Sequence, residues 1–223
     1  MAALVPPHEL QSTAFHALSI ASGACWTVAY FLIIRRGLLD RTYGIPVVAV
    51  CVNISWEFIF AFIVPHESPQ RYINIGWFLL DVFILGQVLL FWRSDFPAIE
   101  GRIFYPFAAS ALLASFGLIL TMAVELEDCG AYSAFGENYL MSILFLLMLF
   151  RRNNLMGQSI YIALSKLSGT ALACLIGYLF VPLAQESAVL QYIFVSIFFF
   201  DLSYAAAICY VGRKRGIAVW RWI

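Results

Sequence analysis

The stretch YGIPVVAVCVNISWEFIFAFIV, residues 43–64, is apolar almost throughout and holds a single charged residue, Glu57. An α-helix rises about 1.5 Å per residue, so roughly 20 apolar residues cross the hydrocarbon core of a bilayer. The stretch therefore predicts a membrane-spanning helix with a carboxyl group inside it. Asn53 stands four residues before Glu57, on the same face of that helix.

Apolar runs of similar length recur along the whole chain, in which 63% of the residues are hydrophobic and 12% are charged. Backbone groups in lipid must bond within their own segment, and unbroken apolarity does not fit the alternating pattern of a barrel strand. We therefore predict an all-α membrane protein, a seven-transmembrane-helix bundle that forms one domain over residues 1–223. The predicted helices are 14–34, 43–64, 72–92, 104–125, 136–150, 158–181 and 189–211.

The basic residues predict how this bundle is oriented. If the N-terminus is lumenal, eleven of the thirteen Lys and Arg residues fall in cytoplasmic segments, which is the positive-inside pattern. The sequence therefore predicts a lumenal N-terminus and a cytoplasmic C-terminus. Residues 1–12 lack Lys and Arg and hold two prolines, so we expect no cleavable signal peptide there. The eleven are Arg35, Arg36, Arg41, Arg93, Arg102, Arg151, Arg152, Arg213, Lys214, Arg215 and Arg221.

Composition also argues against several classes of function. The formal net charge is zero, which gives no sign of a nucleic-acid partner. The five cysteines show neither CxxC nor His-paired spacing, so neither a disulfide framework nor a zinc site is expected. GxGxxG and P-loop motifs are missing, and we expect no metal and no cofactor. No feature indicates an obligatory protein partner.

Three carboxyl groups lie well inside the apolar runs: Glu57, Asp81 and Asp201. A charge near the bilayer centre costs about 2.5–3.5 kcal/mol, so these groups are expected to face the interior of the bundle. Their estimated depths all fall between the outer face and the midplane, so one cavity could be lined by all three. A structural polar contact between helices is the alternative for each of them. Trp77 precedes Asp81 by four residues, and Tyr204 follows Asp201 by about one turn.

A carboxyl group without water keeps its proton at neutral pH and can then act as a general acid. Aromatic residues make up 17% of the chain, and their faces attract cations. Membrane-interface belts and ordinary packing are the other roles for these rings.

Other polar residues receive less specific interpretations. Lys166 stands near enough to one end of its run to extend its ammonium group to the membrane interface. Four acidic residues flank the loop between the fourth and fifth predicted helices and resemble a solvated acidic loop: Glu125, Glu127, Asp128 and Glu137. The small residues Ser165, Gly169, Ala173 and Gly177 recur every four positions, a ridge that lets a neighbouring helix approach closely.

The motif N-x-x-W-E at Asn53, Trp56 and Glu57 resembles the fungal integral-membrane terpene cyclases of meroterpenoid and indole-diterpene biosynthesis. The stretch FFFDLSY, residues 198–204, is similar to the family's last helix, where Asp201 matches its second essential acid. The seven-helix layout and the length also resemble the family, so the likeness covers essentially the whole chain.

The resemblance implies a cofactor-free cyclase of the isomerase or lyase type, located in the endoplasmic reticulum. Its substrate would be a lipid-soluble prenylated epoxide, typically an epoxyfarnesyl chain on an aromatic or polyketide-derived head group. Glu57 and Asp201 are then the catalytic acids, with Asn53 and Trp56 around the first. Asp81, Trp77 and Tyr204 are supporting residues expected from position alone.

Two other functions fit the buried acids. A proton-coupled membrane carrier of a small solute would use them as a proton relay. That function predicts broken helices, yet the prolines of the apolar runs, Pro46, Pro106 and Pro182, lie near helix ends. A receptor would be expected to have longer loops than this chain has.

Overall fold

A computed structural model describes residues 13–126 and 128–223, and all regular secondary structure in these ranges is helical. Residues 1–12 and Glu127 lie outside the described residues, so the expectations about the N-terminal segment and about Glu127 fall there too. The helices begin and end close to the predicted positions. In the described ranges, the seven long α-helices are α1 Thr13–Asp40, α2 Val47–Phe58, α3 Gln70–Phe91, α4 Gly101–Glu125, α5 Ala131–Arg152, α6 Ile160–Phe180 and α7 Ala188–Lys214.

Six of these helices, all except α2, are long and apolar enough to cross a membrane. Helix α2 continues as a π-helical turn over Ile59–Ile63, which gives an apolar helix of 17 residues from Val47 to Ile63. The protein is thus an all-helical, multi-pass membrane protein. The count of seven spans and the lumenal position of the N-terminus stay predictions.

Six helices form a closed ring. Helix α1 packs against α3 and α6, α7 packs against α6 and α5, and α2 packs against both α5 and α3. Helix α4 lies outside this ring, chiefly against α2. Side chains that project from the six ring helices therefore meet in one interior.

Ridge residue Gly169 sits where α1 and α6 touch. Ser22 on α1 donates a hydrogen bond of 2.8 Å to the Gly169 carbonyl oxygen. A Cβ atom at Gly169 would lie 2.8 Å from Cδ1 of Trp26, too close for an ordinary contact. The prediction that this ridge allows close helix approach is confirmed at Gly169.

Polar contacts tie together the connections at one end of the bundle. Asp40, at the end of α1, is paired with Arg36 and accepts a hydrogen bond of 2.7 Å from the Gly157 amide before α6. Asp95, just after α3, is bonded to Arg152 of α5 at 2.7 Å and 2.9 Å. Segments predicted to share the cytoplasmic side thus lie at the same end of the molecule.

Candidate active site

Asn53 is the centre of a buried polar cluster formed by α1, α2 and α3. Its Nδ2 atom lies 2.6 Å from Oδ2 of Asp81, 3.3 Å from Oε1 of Glu57 and 2.5 Å from the Tyr30 hydroxyl. All four side chains are buried, with Asp81 fully inaccessible. We call Tyr30, Asn53, Glu57 and Asp81 the acid cluster.

Tyr30 is the α1 member of the acid cluster and also contacts an aromatic side chain of α3, Trp77. Its hydroxyl group accepts from Asn53 and donates to Oε1 of Glu57 at 2.8 Å. The Tyr30 ring stacks on Trp77 with the centroids 6.3 Å apart, and the Trp77 indole N–H donates to Thr27 at 3.3 Å. Trp77 thus borders the cluster through Tyr30.

The carboxyl groups of Glu57 and Asp81 are close enough to hydrogen-bond to each other. Such a bond exists only when one of the two carries a proton. Within residues 13–126 and 128–223, no N–H or hydroxyl group donates to Oε2 of Glu57 or to Oδ1 of Asp81, although both atoms are buried. The pair is therefore arranged to hold a proton away from water.

Glu137 on α5 adds a third carboxyl group to this region. Its Oε2 atom is buried, and its carboxyl group lies near enough to Asp81 and Glu57 for electrostatic interaction. The interpretation of Glu137 as solvated is wrong, because its carboxyl oxygen is buried inside the bundle, within α5. Asp128 is also buried, and its carboxyl group accepts hydrogen bonds from the backbone N–H groups of Gly130 and Tyr132.

Asp201 lies in a second polar contact, formed by α5, α6 and α7. Oδ1 of Asp201 is 2.6 Å from Nζ of Lys166, which also donates to Ser142 at 2.8 Å. Lys166 and Asp201 are each 1% exposed. The expectation that Lys166 extends to the membrane interface is wrong, because a buried carboxylate is available to it inside the bundle.

Two small cavities adjoin these groups. One, of about 10 Å³, is bordered by both Tyr30 and Lys166 and so lies between the acid cluster and the ion pair. The other, of about 100 Å³, lies between α6 and α7. It is lined by Leu167, Thr170, Ala171, Cys174, Ile197, Phe198 and Asp201.

Trp56 and Tyr204 form their hydrogen bonds with groups other than the carboxyl groups that they were predicted to support. The Trp56 indole N–H lies 3.1 Å from the Ser133 hydroxyl oxygen and 3.4 Å from the Gly130 carbonyl oxygen. The Tyr204 hydroxyl donates to Gln158 at 3.0 Å. The structure thus brings Asn53, Glu57 and Asp81 together and places these two side chains in other contacts.

Tyr30, Glu137 and Lys166 were missed as members of the polar interior. A signal for Lys166 was present, because a basic residue inside one apolar run and an acidic residue inside the next are expected to pair. Across the described ranges, no group of three or more His, Cys, Asp or Glu side chains is arranged to hold a metal ion.

The family model of the Pyr4-like transmembrane terpene cyclases matches residues 1–214. The chain belongs to this family. The predicted resemblance is thereby confirmed, and membership assigns the protein to the transmembrane terpene cyclases. No solved structure matches the chain significantly.

Three curated relatives align with this chain over about two thirds of their own length. The Pyr4-family terpene cyclase mfmH of Annulohypoxylon moriforme is 31% identical over 164 residues, covering 71% of this chain and 68% of that protein. Terpene cyclase pyr4 of Aspergillus fumigatus is 27% identical over 68% of this chain and 65% of its own length. Asnovolin H synthase nvfL of Aspergillus novofumigatus is 28% identical, with coverages of 69% and 65%.

Proposed function

We propose that this family member protonates the terminal epoxide of a prenylated, epoxyfarnesyl-type substrate with an aromatic or polyketide-derived head group. The observation that carries the proposal is the contact between the Glu57 and Asp81 carboxyl groups inside a ring of apolar helices. A carboxylic acid kept from water is the only reagent that epoxide opening requires. The product is a polycyclic meroterpenoid.

The reaction balances without a cofactor. The acid O–H gives its proton to the epoxide oxygen, and the bond from that oxygen to the tertiary carbon breaks. The bonding electron pair stays on the oxygen, which becomes a hydroxyl group, and the carbon becomes a cation. The alkenes of the chain then close rings in turn, and loss of a proton from carbon ends the cascade. The product is an isomer of the substrate.

Tyr30 and Asn53 have a defined part in this step. When Glu57 loses its proton, Oε1 already has the Tyr30 hydroxyl at 2.8 Å and the Asn53 amide at 3.3 Å. Donors that are in place before charge develops stabilise it with little reorganisation. We assign Glu57 as the proton donor, Asp81 as the partner that shares its proton, and Tyr30 and Asn53 as positioning residues.

The surroundings of the acids suit a carbocation. Water would capture the cation early and give a partly cyclised alcohol, so a dry site favours complete cyclisation. A lipid-soluble substrate can reach the bundle from the bilayer. The pocket between α6 and α7 borders Phe198, which is 51% exposed, so we propose this side for substrate access.

We further propose that the chain lies in the endoplasmic reticulum with its N-terminus lumenal and its C-terminus cytoplasmic. Support comes from the basic connections, which meet at one end of the bundle through contacts such as Asp95 with Arg152. Protease protection of terminal tags in sealed microsomes tests this. A C-terminal tag is expected to be digested and an N-terminal tag protected, and the reverse result would overturn the assignment.

Turnover in microsomes tests the activity. Membranes that contain the protein are given an epoxyfarnesyl-aromatic substrate, and parallel membranes are given the same compound without the epoxide. The epoxide is expected to become a polycyclic isomer of unchanged mass, and the alkene is expected to persist. If epoxides with several head groups all persist in the presence of folded protein, the proposal is wrong. Proton-driven solute uptake would then be the next activity to assay.

A further inference from the structure

The two polar sites in the bundle have opposite electrostatic surroundings. Asp201 has the Lys166 ammonium group 2.6 Å from one of its oxygens. In the described residues, no Lys or Arg side chain forms a salt bridge or hydrogen bond with Glu57 or Asp81. A neighbouring cation favours the ionised carboxylate, and a neighbouring carboxyl group favours a retained proton. Titratable groups with surroundings this different are suited to opposite roles in acid–base chemistry.

Lys166 is itself fixed from several directions. Its ammonium group donates to Ser142 of α5 at 2.8 Å as well as to Asp201 of α7. It also lies 5.7 Å from the Trp26 ring centroid and 5.9 Å from that of Phe145, where aromatic faces attract a cation. These contacts fix the position of the Lys166 ammonium group.

We propose that Lys166 keeps Asp201 as an oriented carboxylate, which stabilises the migrating cation and accepts the proton that ends the cascade. This inference rests on the proposed cyclisation and assigns its two proton transfers to different sites. The acid cluster donates the proton that starts the reaction, and Asp201 accepts the proton that ends it. Lys166 is a positioning residue, because it acts through Asp201.

The second oxygen of Asp201 is free for this role. Oδ2 of Asp201 and Oγ1 of Thr170 are both buried, and neither has a hydrogen-bond partner among residues 13–126 and 128–223. Both residues line the pocket of about 100 Å³ between α6 and α7, whose other lining residues are Leu167, Ala171, Cys174, Ile197 and Phe198. A cation in this pocket would meet one negative oxygen in apolar surroundings.

The other groups that face Asp201 do not replace Lys166. Cys174 of α6 and Tyr204 of α7 are near enough for electrostatic interaction with it, and neither group is cationic. From α5, Ser142 reaches the pair through Lys166. The ammonium group is therefore the source of positive charge for Asp201.

The terminating step also balances. A C–H group beside the last cation gives its proton to Oδ2 of Asp201, and the C–H electron pair becomes a C=C bond. Asp201 then holds one proton more than before, and the acid cluster holds one fewer. The proton must therefore return from Asp201 to the acid cluster before the next turnover. The small cavity bordered by Tyr30 and Lys166 lies between these two sites.

Infrared spectroscopy tests the charge of Asp201 without relying on activity. Wild type, Lys166→Met, Asp201→Asn and the double variant are compared in lipid nanodiscs at neutral pH, by the absorbance of protonated carboxyl groups. Lys166→Met is expected to gain absorbance from one protonated carboxyl group, and this gain is expected to vanish in the double variant. Equal absorbance in wild type and double variant is also expected.

The comparison of wild type with the double variant controls for misfolding, because the double variant leaves neither an unpaired buried ammonium group nor an unpaired buried carboxylate. Loss of one carboxyl group's absorbance in the double variant, relative to wild type, would overturn the inference. No gain in a folded Lys166→Met protein would overturn it as well. Neither result depends on the proposed cyclisation.

The pH dependence of turnover separates positioning from simple structural support. In Lys166→Met, Asp201 loses the ammonium group that lies 2.6 Å away, so kcat at neutral pH is expected to fall roughly a hundredfold and to recover as the pH is raised. Lys166→Arg, which keeps a cation, is expected to keep most of the activity. If the pair were only structural, the neutral double variant would regain the wild-type kcat, and that result would contradict the role. Absent turnover by wild type would count against the cyclisation itself.

Discussion

The Tyr30 hydroxyl group lies 2.8 Å from Oε1 of Glu57 and joins α1 to α2 inside the acid cluster. Tyr30 accepts from Asn53 and donates to Glu57, so its orientation is fixed at both ends. The hydroxyl group thereby becomes a ready donor to the carboxylate that Glu57 leaves after giving up its proton.

Tyr30→Phe is expected to lower kcat by about 10- to 100-fold, because a hydrogen bond to a charged group contributes about 1.5–3 kcal/mol. The ring and its stacking on Trp77 are retained. The measurement is kcat per folded molecule, with the folded amount taken from size-exclusion chromatography.

Tyr43→Phe is the matched control for this change. Tyr43 is also buried and donates a hydrogen bond of 2.6 Å to the carboxylate of Asp95. It lies at the end of the bundle where Asp95 pairs with Arg152, which we call the basic end. This variant is expected to lose stability and to keep its turnover per folded molecule. Equal kcat in Tyr30→Phe and wild type would show that the Tyr30 hydroxyl does not assist the acid.

Gly169→Ala is expected to destabilise the protein by about 1–3 kcal/mol, because the added methyl group overpacks the contact of α6 with Trp26. Trp26 covers Lys166, so a shift of the indole is also expected to lower activity. Thermal unfolding in nanodiscs measures the first effect. Gly23→Ala on α1 is the control. Among the described residues, no atom outside its chain neighbours and its own helix backbone lies within 4 Å of the added Cβ, and the helix is expected to gain about 0.5–1 kcal/mol of stability.

Asp95 makes the stability of the basic end depend on pH. Burial by itself would favour the neutral acid, but hydrogen bonding and charge attraction from Arg152, with help from Tyr43 and Arg151, hold the pKa of Asp95 below its usual value. A carboxyl group whose pKa is lowered by folding stabilises the protein above the pKa of the unfolded chain, about 3.9. That stabilisation is lost as the pH falls through the folded-state pKa.

Asp95→Asn is therefore expected to lower Tm at pH 7 and to flatten the decline of Tm below about pH 4. Removal of one partner from a buried pair costs about 3–5 kcal/mol, since Arg152 is left without its carboxylate. If Tm of the variant fell as steeply with acid as that of wild type, Asp95 would not be the group responsible.

Most of the helical architecture followed from hydropathy. The length of an apolar run predicts the length of a span, and most ends of the observed helices lie within a few residues of the predicted ends. The start of α5 is an exception with a local cause. Helix α5 begins at Ala131, before the predicted start at 136, where Asp128 accepts the backbone N–H groups of Gly130 and Tyr132. Hydropathy does not report such a contact.

The candidate site was predictable where its residues share one helix. Asn53 and Glu57 are four residues apart, and their contact follows from helical spacing. Contacts between helices depend on how each helix is rotated and which neighbours it has. For this reason the tie from Tyr30 to Glu57 and the pairing of Lys166 with Asp201 were missed, and Trp56 was expected near Glu57 although its indole N–H points to Ser133.

The most direct test of the central claim is turnover by Glu57→Gln, which keeps the size of the side chain and removes the acid. The control is Glu100→Gln, the same change in an exposed residue paired with Arg102 at the basic end. With an epoxyfarnesyl-aromatic substrate, we predict that Glu57→Gln consumes no epoxide while Glu100→Gln matches wild type. Epoxide consumption by folded Glu57→Gln at the wild-type rate would contradict the account.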